Sequence, residues 1–416
     1  MPSQSLSLRR DRWSTRKVTT AGYFVAFVAL GLAYASLGPT LTDLAAHVGA
    51  SLTSISYVFT AKGLGYLAGS LIGGRLYDTV KPHPVMVTML VMTAVLMVVV
   101  PLVPALWLLI GAIFLLAVFQ GGLDVGGNTL LVWLHGDEVD PYMNALHFFF
   151  GVGAFISPII IAQAVLITGG IRWAYWVLAF LILPVAAGIS RLPSPKAPNH
   201  EEPAPPALDA GTGASPRASV RSSGIDAQLV VWVALFFFLY VGAEGSFGGW
   251  IATYSKATGM GDTATAAYLT SAFWGALTVG RLLSIPLAAR FSPRQVLAGD
   301  LMVCLVSIVA LLLWPGSELI TWAGTFGAGL GMASIFPTTI SLAERHTTIT
   351  GTVTSGFFVG GSLGGMTVPW LIGQLFESVG PRVTVFAIIA AIVLDAVIFA
   401  FIVAHTRRGD SAKEGV

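Results

Sequence analysis

The sequence reads as an all-α membrane protein of twelve transmembrane helices arranged as two pseudo-symmetric six-helix bundles. Three observations carry this reading: an apolar composition, a regular succession of apolar runs, and one long proline-rich stretch that divides the runs six and six. Of the 416 residues 55% are hydrophobic and 10% are charged, and the mean hydropathy is +0.80. That balance excludes an ordinary soluble domain. Crossing the hydrocarbon core takes about 20 predominantly apolar residues. Such runs fall at 18–39, 53–76, 84–104, 106–133, 141–168 and 171–190, and again at 227–255, 263–289, 295–314, 317–343, 349–375 and 381–405. They are numbered here as spans 1 to 12.

The dividing stretch, 191–226, carries Pro193, Pro195, Pro198, Pro203, Pro205, Pro206 and Pro216 among Ala, Ser and Gly, a composition that cannot pack a core. It is expected to be a disordered cytoplasmic linker between bundles at 18–190 and 227–405, with cytoplasmic tails at 1–17 and 406–416. The orientation follows from the basic residues, which stay on the cytoplasmic side. Of the 22 Lys and Arg, only Arg172, Lys256 and Arg382 fall outside and Lys62 and Arg281 within spans; the remainder lie inside. A multi-pass protein of the plasma (inner) membrane with both termini cytoplasmic is expected. The lone Cys304 supports neither a disulfide framework nor a cysteine metal site.

The halves repeat faintly at an offset of about 210 residues: Gly65 to Met86 lies over Gly275 to Val296, and Phe148 to Gly151 over Phe357 to Gly361. Many of the 47 glycines lie inside spans, where small residues let helices approach closely in lipid. Gly242, Gly245, Gly248 and Gly249 crowd the second half of span 7. They read either as close packing or as a loosened, broken segment that faces substrate.

Three motifs carry a resemblance. Gly74-Arg75-Leu76-Tyr77-Asp78-Thr79-Val80-Lys81 follows span 2. Gly121-Gly122-Leu123-Asp124-Val125-Gly126-Gly127-Asn128 in span 4 precedes Pro141-Tyr142-Met143-Asn144-Ala145-Leu146-His147-Phe148, and span 7 holds Tyr240 to Tyr254. Together they resemble the major facilitator superfamily, and within it the branch of fucose/proton symporters and sodium-dependent glucose transporters. The resemblance implies the major facilitator fold, with spans 1, 4, 7 and 10 lining a central cavity. It places the span 4 acid that supports substrate binding and proton coupling on Asp124, with an amide on Asn128. Span 1 offers no acid, reading Tyr34-Ala35-Ser36-Leu37-Gly38-Pro39, so coupling is expected at Asp124, Glu244 or a bound ion.

A charge at the bilayer centre costs at least about 2.5–3.5 kcal/mol, which makes each ionisable residue in a span a candidate for function. Gln120, Asp124 and Asn128 recur every four residues and share one face of span 4. That face is expected to look into the cavity and anchor substrate, although Asp124 could instead pair with Lys62. Asn144 is expected near the same site. Glu244 is read as a coupling or substrate group, or as a partner of loosened backbone amides. His147 either relays protons or bonds a helix-end carbonyl. Trp250 and Trp274 are candidate walls, because an indole stacks on the C–H face of a pyranose while its N–H donates to a hydroxyl. Asp78, Lys62, Arg281 and Arg290 are expected in gates or ion pairs, and Asp137, Glu138 and Asp140 could face Arg290 and Arg294 across the cytoplasmic side. Asp395 in span 12 is expected to have a structural pairing.

These features point to a secondary active transporter, not an enzyme. It is expected to work by alternating access and to move a monosaccharide or similar polyhydroxylated solute by cation- or proton-coupled symport. An efflux carrier for amphipathic small molecules is the alternative, and a non-transporting sensor or scaffold a remote one. No Walker-type Gly-x-x-x-x-Gly-Lys-Ser/Thr is present. Expected partners are a small-molecule substrate and the bilayer, with no nucleic acid, no metal and no cofactor beyond a coupling H⁺ or Na⁺. The chain is expected to be a monomer.

Overall fold

The computed structural model describes residues 3–195, 226–348 and 351–414; most of the expected linker, 196–225, lies outside the described residues. The first six spans are Ser3–Tyr34 continued by Leu37–His47, then Tyr57–Thr79, Pro82–Val99, Leu106–His135, Asp140–Thr168 and Arg172–Ser190. The second six are Ala227–Ala257, Thr263–Arg290, Pro293–Leu313, Glu318–Met332 continued by Ile335–Glu344, Gly351–Val379 and Arg382–Glu414. Eleven of these are long and apolar enough to cross a bilayer. The twelfth, span 2, has 23 residues but carries Lys62, Arg75 and Asp78 among its glycines.

Two spans are broken, and proline explains where. Pro39 has no N–H for the carbonyl of Ala35, and Pro337 none for that of Ala333, four residues earlier in each case. The helix is interrupted at Ala35–Ser36 in span 1 and at Ala333–Ser334 in span 10. Span 7, in contrast, is one continuous helix, Ala227–Ala257. Its glycines serve close approach and not a break: a Cβ at Gly249 would lie 2.7 Å from the Phe59 ring, and one at Gly242 would lie 2.5 Å from the Val368 side chain.

The repeat seen in the sequence reappears as matched seams. Span 5 packs on span 1 through Gly31 and Gly153, where an added Cβ would lie 2.1 Å from the carbonyl of Phe150 or Val28. Span 11 packs on span 7 through Gly364 in the same manner, with the Phe238 carbonyl only 1.7 Å from such a Cβ. That neighbour is backbone and cannot swing aside, so Gly364→Ala is expected to cost the folded protein. Loss of the monodisperse peak in detergent size-exclusion chromatography would report it; a wild-type profile would contradict the seam.

An even number of spans puts both chain ends on one side, the terminal face. The bundles meet along spans 5 and 8, spans 2 and 11, and the second segment of span 1 against span 7. Hydrogen bonds between them gather in the middle and toward the far face. Ser271 Oγ donates to the Phe155 carbonyl at 2.7 Å, and Gln163 bonds Tyr268. Lys256 Nζ reaches Asp43 Oδ2 and Thr42 Oγ1, each at 2.7 Å. Glu377 accepts from the Leu52 N–H and the Thr53 hydroxyl, both at 2.9 Å, and Gln374 Nε2 donates to the Thr53 carbonyl and to Ser56 Oγ at 3.0 Å. On the terminal face, Arg16 and Arg294 have partners in their own bundles. Arg16 contacts His135 at 2.8 Å and Glu138 at 3.3 Å, and Arg294 donates to Thr406 at 2.9 Å. These contacts between the bundles seal the far face.

Candidate functional site

Behind the far-face seal lies a central cavity of about 310 Å³ walled by both bundles. The break in span 1 organises its N-terminal side. Lys62 Nζ donates to the Tyr34 carbonyl at 3.1 Å, at the end of the first segment, and sits 3.5 Å from the centroid of the Tyr34 ring. One ammonium thus serves a helix end and a π face together. The Tyr34 ring meets Phe150, Trp274 and Tyr66 edge-on, at centroid distances of 5.5, 6.0 and 6.3 Å. Among the described residues no ion pair joins Lys62 to Asp124.

Asp124 lines the cavity from span 4. Tyr66 donates its hydroxyl to Oδ2 at 2.9 Å, and Asn128 Nδ2 donates to Oδ1 at 3.0 Å and to the Asp124 carbonyl at 2.8 Å. Two neutral donors fix the carboxylate without neutralising it, and each oxygen keeps acceptor capacity toward the cavity. Asn128 therefore acts through Asp124. Gln120, one turn earlier, is buried and lines a small adjoining void beside Lys62 and Tyr34, outside the main cavity.

From the second bundle come Glu244, Trp274 and Arg281, all lining the cavity. Arg281 acts electrostatically on Glu244 and, across the bundle interface, on His147. His147 lines the cavity from span 5 and meets Phe27 edge-on at 5.9 Å. Trp274 packs where Gly248 leaves room, since a Cβ there would approach Cζ2 to 2.9 Å. Its indole Nε1–H is buried with no hydrogen-bond partner among the described residues. An orphaned donor costs about 1–3 kcal/mol, a cost that a ligand acceptor would remove.

Other expected site residues stand elsewhere. Trp250 is fully buried outside the cavity, stacked on Phe376 at 5.2 Å and tilted against Phe59 at 5.6 Å, with Nε1 donating to the Pro369 carbonyl at 3.0 Å. Its ring and donor are both committed to the far-face seal, so it does not wall the pocket. Asn144 is exposed on span 5 and does not line the cavity. Asp78 and Arg290 are exposed at the terminal-face ends of spans 2 and 8, and among the described residues neither makes an ion pair. Glu138 turns to Arg16 in its own bundle, away from Arg290 and Arg294; the side chain of Asp137 lies outside the described residues. Asp395 has no partner for either carboxylate oxygen among the described residues, in place of the expected pairing.

Sequence reasoning missed Tyr34 and Tyr66, which build the cavity around Lys62 and Asp124. Tyr66 follows Lys62 by four residues, on the same helix face, and that spacing was the available signal. It also missed the far-face set of Asp43, Lys256, Gln374 and Glu377, whose partners lie more than 200 residues apart and give no local pattern.

Comparison with known proteins agrees with this architecture. The pattern of the Major Facilitator Superfamily matches residues 23–369. Sodium-dependent glucose transporter 1A of Mus musculus is 31% identical over 384 residues, covering 85% of this chain and 88% of that protein. Sodium-dependent glucose transporter 1 of Homo sapiens is 30% identical over 382 residues, covering 84% and 72%. Among solved structures, the nucleoside transporter NupG superposes with a TM-score of 0.72 at 11% identity, covering 92% of this chain and 99% of that one. A bacterial homologue of the human lysosomal transporter Spinster, in an inward-facing and occupied conformation, gives 0.71 at 10% identity, covering 94% and 97%. The chain belongs to the Major Facilitator Superfamily and is a multi-pass membrane transporter, not an enzyme, related to the sodium-dependent glucose transporters.

Proposed function

We propose that this transporter works by alternating access and couples symport of a monosaccharide, or a similar polyhydroxylated solute, to a cation or proton gradient. The observation that carries the reading is the central cavity, which Asp124, Glu244, Lys62, Arg281 and Trp274 line together among aromatic rings. Sugar hydroxyls need donors and acceptors together, and the C–H face of a pyranose needs an aromatic wall. Asp124, held by Tyr66 and Asn128, anchors hydroxyls or the coupling cation. Glu244 answers it from the other bundle, with Arg281 and His147 in electrostatic reach. The kinship with sodium-dependent glucose transporters supports both the solute class and a coupling cation. The distribution of basic residues supports a cytoplasmic terminal face in a plasma (inner) membrane carrier, and with that orientation we read the sealed far face as the inward-facing state.

Binding tests the solute class. Monosaccharides should raise the melting temperature of the purified protein, and Trp274→Phe should weaken binding by about two- to tenfold, the worth of one hydrogen bond. Because that N–H has no protein partner, the variant should keep the stability of the wild type. Wild-type sugar affinity in the variant would remove the indole from the site.

A second reading, efflux of amphipathic solutes, draws on Phe27, Phe59, Phe150, Phe336, Phe357 and Phe358 around the same cavity. Stabilisation by amphipathic cations without stabilisation by any sugar would favour it.

A further inference from the structure

Asp395 sits on span 12, away from the central cavity, with 0% exposure. Both carboxylate oxygens lack a hydrogen-bond partner among the described residues. An ionised carboxylate has no means of support there: an unpaired buried charge costs many kcal/mol, and the group neutralises instead. Spans 7, 9 and 11 pack against span 12. Span 7 carries Tyr240, Glu244, Tyr254 and Lys256, span 9 carries Arg294, Asp300 and Cys304, and span 11 carries Glu377. On span 12 itself the described side chains include Arg382, His405 and Arg407. The cations are engaged elsewhere or stand at helix ends: Lys256 on Asp43, Arg294 on Thr406 and His405 on Asp226. The groups that reach inward on span 9, Asp300 and Cys304, carry negative charge when ionised, and both interact electrostatically in the same region as Asp395. Neither supplies a positive charge to Asp395. A metal cation would need several oxygen ligands, and among the described residues no group of three or more His, Cys, Asp or Glu could hold one.

The surroundings also include the interrupted span 10. At the break in span 10, Ser334 Oγ donates to Asp300 Oδ2 at 2.5 Å, and Tyr240 donates to the Met332 carbonyl at 2.9 Å. Tyr240 is one turn from Glu244 in the cavity. The break therefore ties span 9, beside Asp395, to the cavity-lining span 7.

We propose that Asp395 is a proton-binding site of the carrier, filled in the state with the far face sealed, and that its proton biases exchange between the two access states. The proton is taken from water and returned to water, and no bond to the solute forms. Releasing it requires spans 9, 10 and 12 to rearrange so that water or a donor reaches the carboxylate. Low pH then favours the sealed arrangement and high pH the opposite one, by linkage. This inference rests on the alternating-access reading and is independent of which solute is moved.

The test uses the full chain in lipid nanodiscs, without any solute. Infrared difference spectra of the wild type at neutral pH should show a protonated-carboxyl C=O band that Asp395→Asn lacks. Spin-label distances across the far face should shift with pH in the wild type, by up to about tenfold in population per pH unit, and much less in Asp395→Asn. An amide is the nearest neutral mimic of the acid, so Asp395→Asn, and the apolar Asp395→Leu, should fold. Failure of both to fold, an unchanged carboxyl band, or an unchanged pH response in a folded variant would each overturn the proposal. Failure of every sugar to be transported would sink the solute assignment above and leave these readouts standing.

Discussion

Asp124→Asn is expected to lower gradient-driven solute accumulation by roughly ten- to a hundredfold while leaving the fold intact. Tyr66 and Asn128 both donate to the carboxylate. An amide in its place keeps one acceptor for Tyr66 but turns an NH₂ toward Asn128 or the cavity, so the local geometry survives and the charge does not. Hydrogen bonds to a charged group are worth about 1.5–3 kcal/mol, and each 1.4 kcal/mol is about tenfold. Gradient-free counterflow separates binding from coupling. If Asp124 holds the coupling cation, counterflow should persist where accumulation fails; if it holds the solute, both should fall. Full accumulation in a well-folded variant would remove Asp124 from the site.

The second large effect concerns the far-face seal. Lys256→Ala combined with Glu377→Gln removes the contacts to Asp43 and Thr42 and weakens those to Leu52 and Thr53. These groups are partly solvated, with side-chain exposures of 19% for Lys256 and 33% for Asp43, so each bond is worth less than in a buried setting. Their joint loss is expected to cost the sealed state roughly 1–3 kcal/mol. Because the alternative is another folded state and not an unfolded chain, that cost moves population, by about five- to a hundredfold. Spin labels placed by Ala46→Cys and Ser378→Cys should report a longer far-face distance in the double variant. An unchanged distance distribution would mean that Trp250, Phe59 and Phe376 hold the seal by packing alone.

The spans were legible because bilayer thickness dictates run length. Spans 2 to 11 begin and end within about five residues of their expected places, whereas spans 1 and 12 run on as helix beyond the apolar window, to Ser3–His47 with one break and to Glu414. Extra helix outside the hydrocarbon leaves no hydropathy signal. The two breaks were legible in principle from Pro39 and Pro337, yet the glycines of span 7 drew attention to the wrong helix. Glycine content alone does not distinguish a loosened helix from one pressed against Phe59 and Val368. Within the site, the four-residue spacing of Asp124 and Asn128 gave their contact directly. Trp250 and Trp274 could not be told apart, because the choice between cavity and seal depends on how spans 7, 8 and 11 cross. The same holds for Gln120, which shares a helix face with Asp124 but lies deeper, against Lys62 and Tyr34.

Uptake by proteoliposomes of a labelled monosaccharide panel, under imposed sodium or proton gradients, tests the central claim most directly. A sugar carrier of this design should accumulate at least one monosaccharide above its equilibrium level only while a gradient is present, and should lose that accumulation in Asp124→Asn. Extrusion of amphipathic solutes with no gradient-driven uptake of any sugar would contradict it.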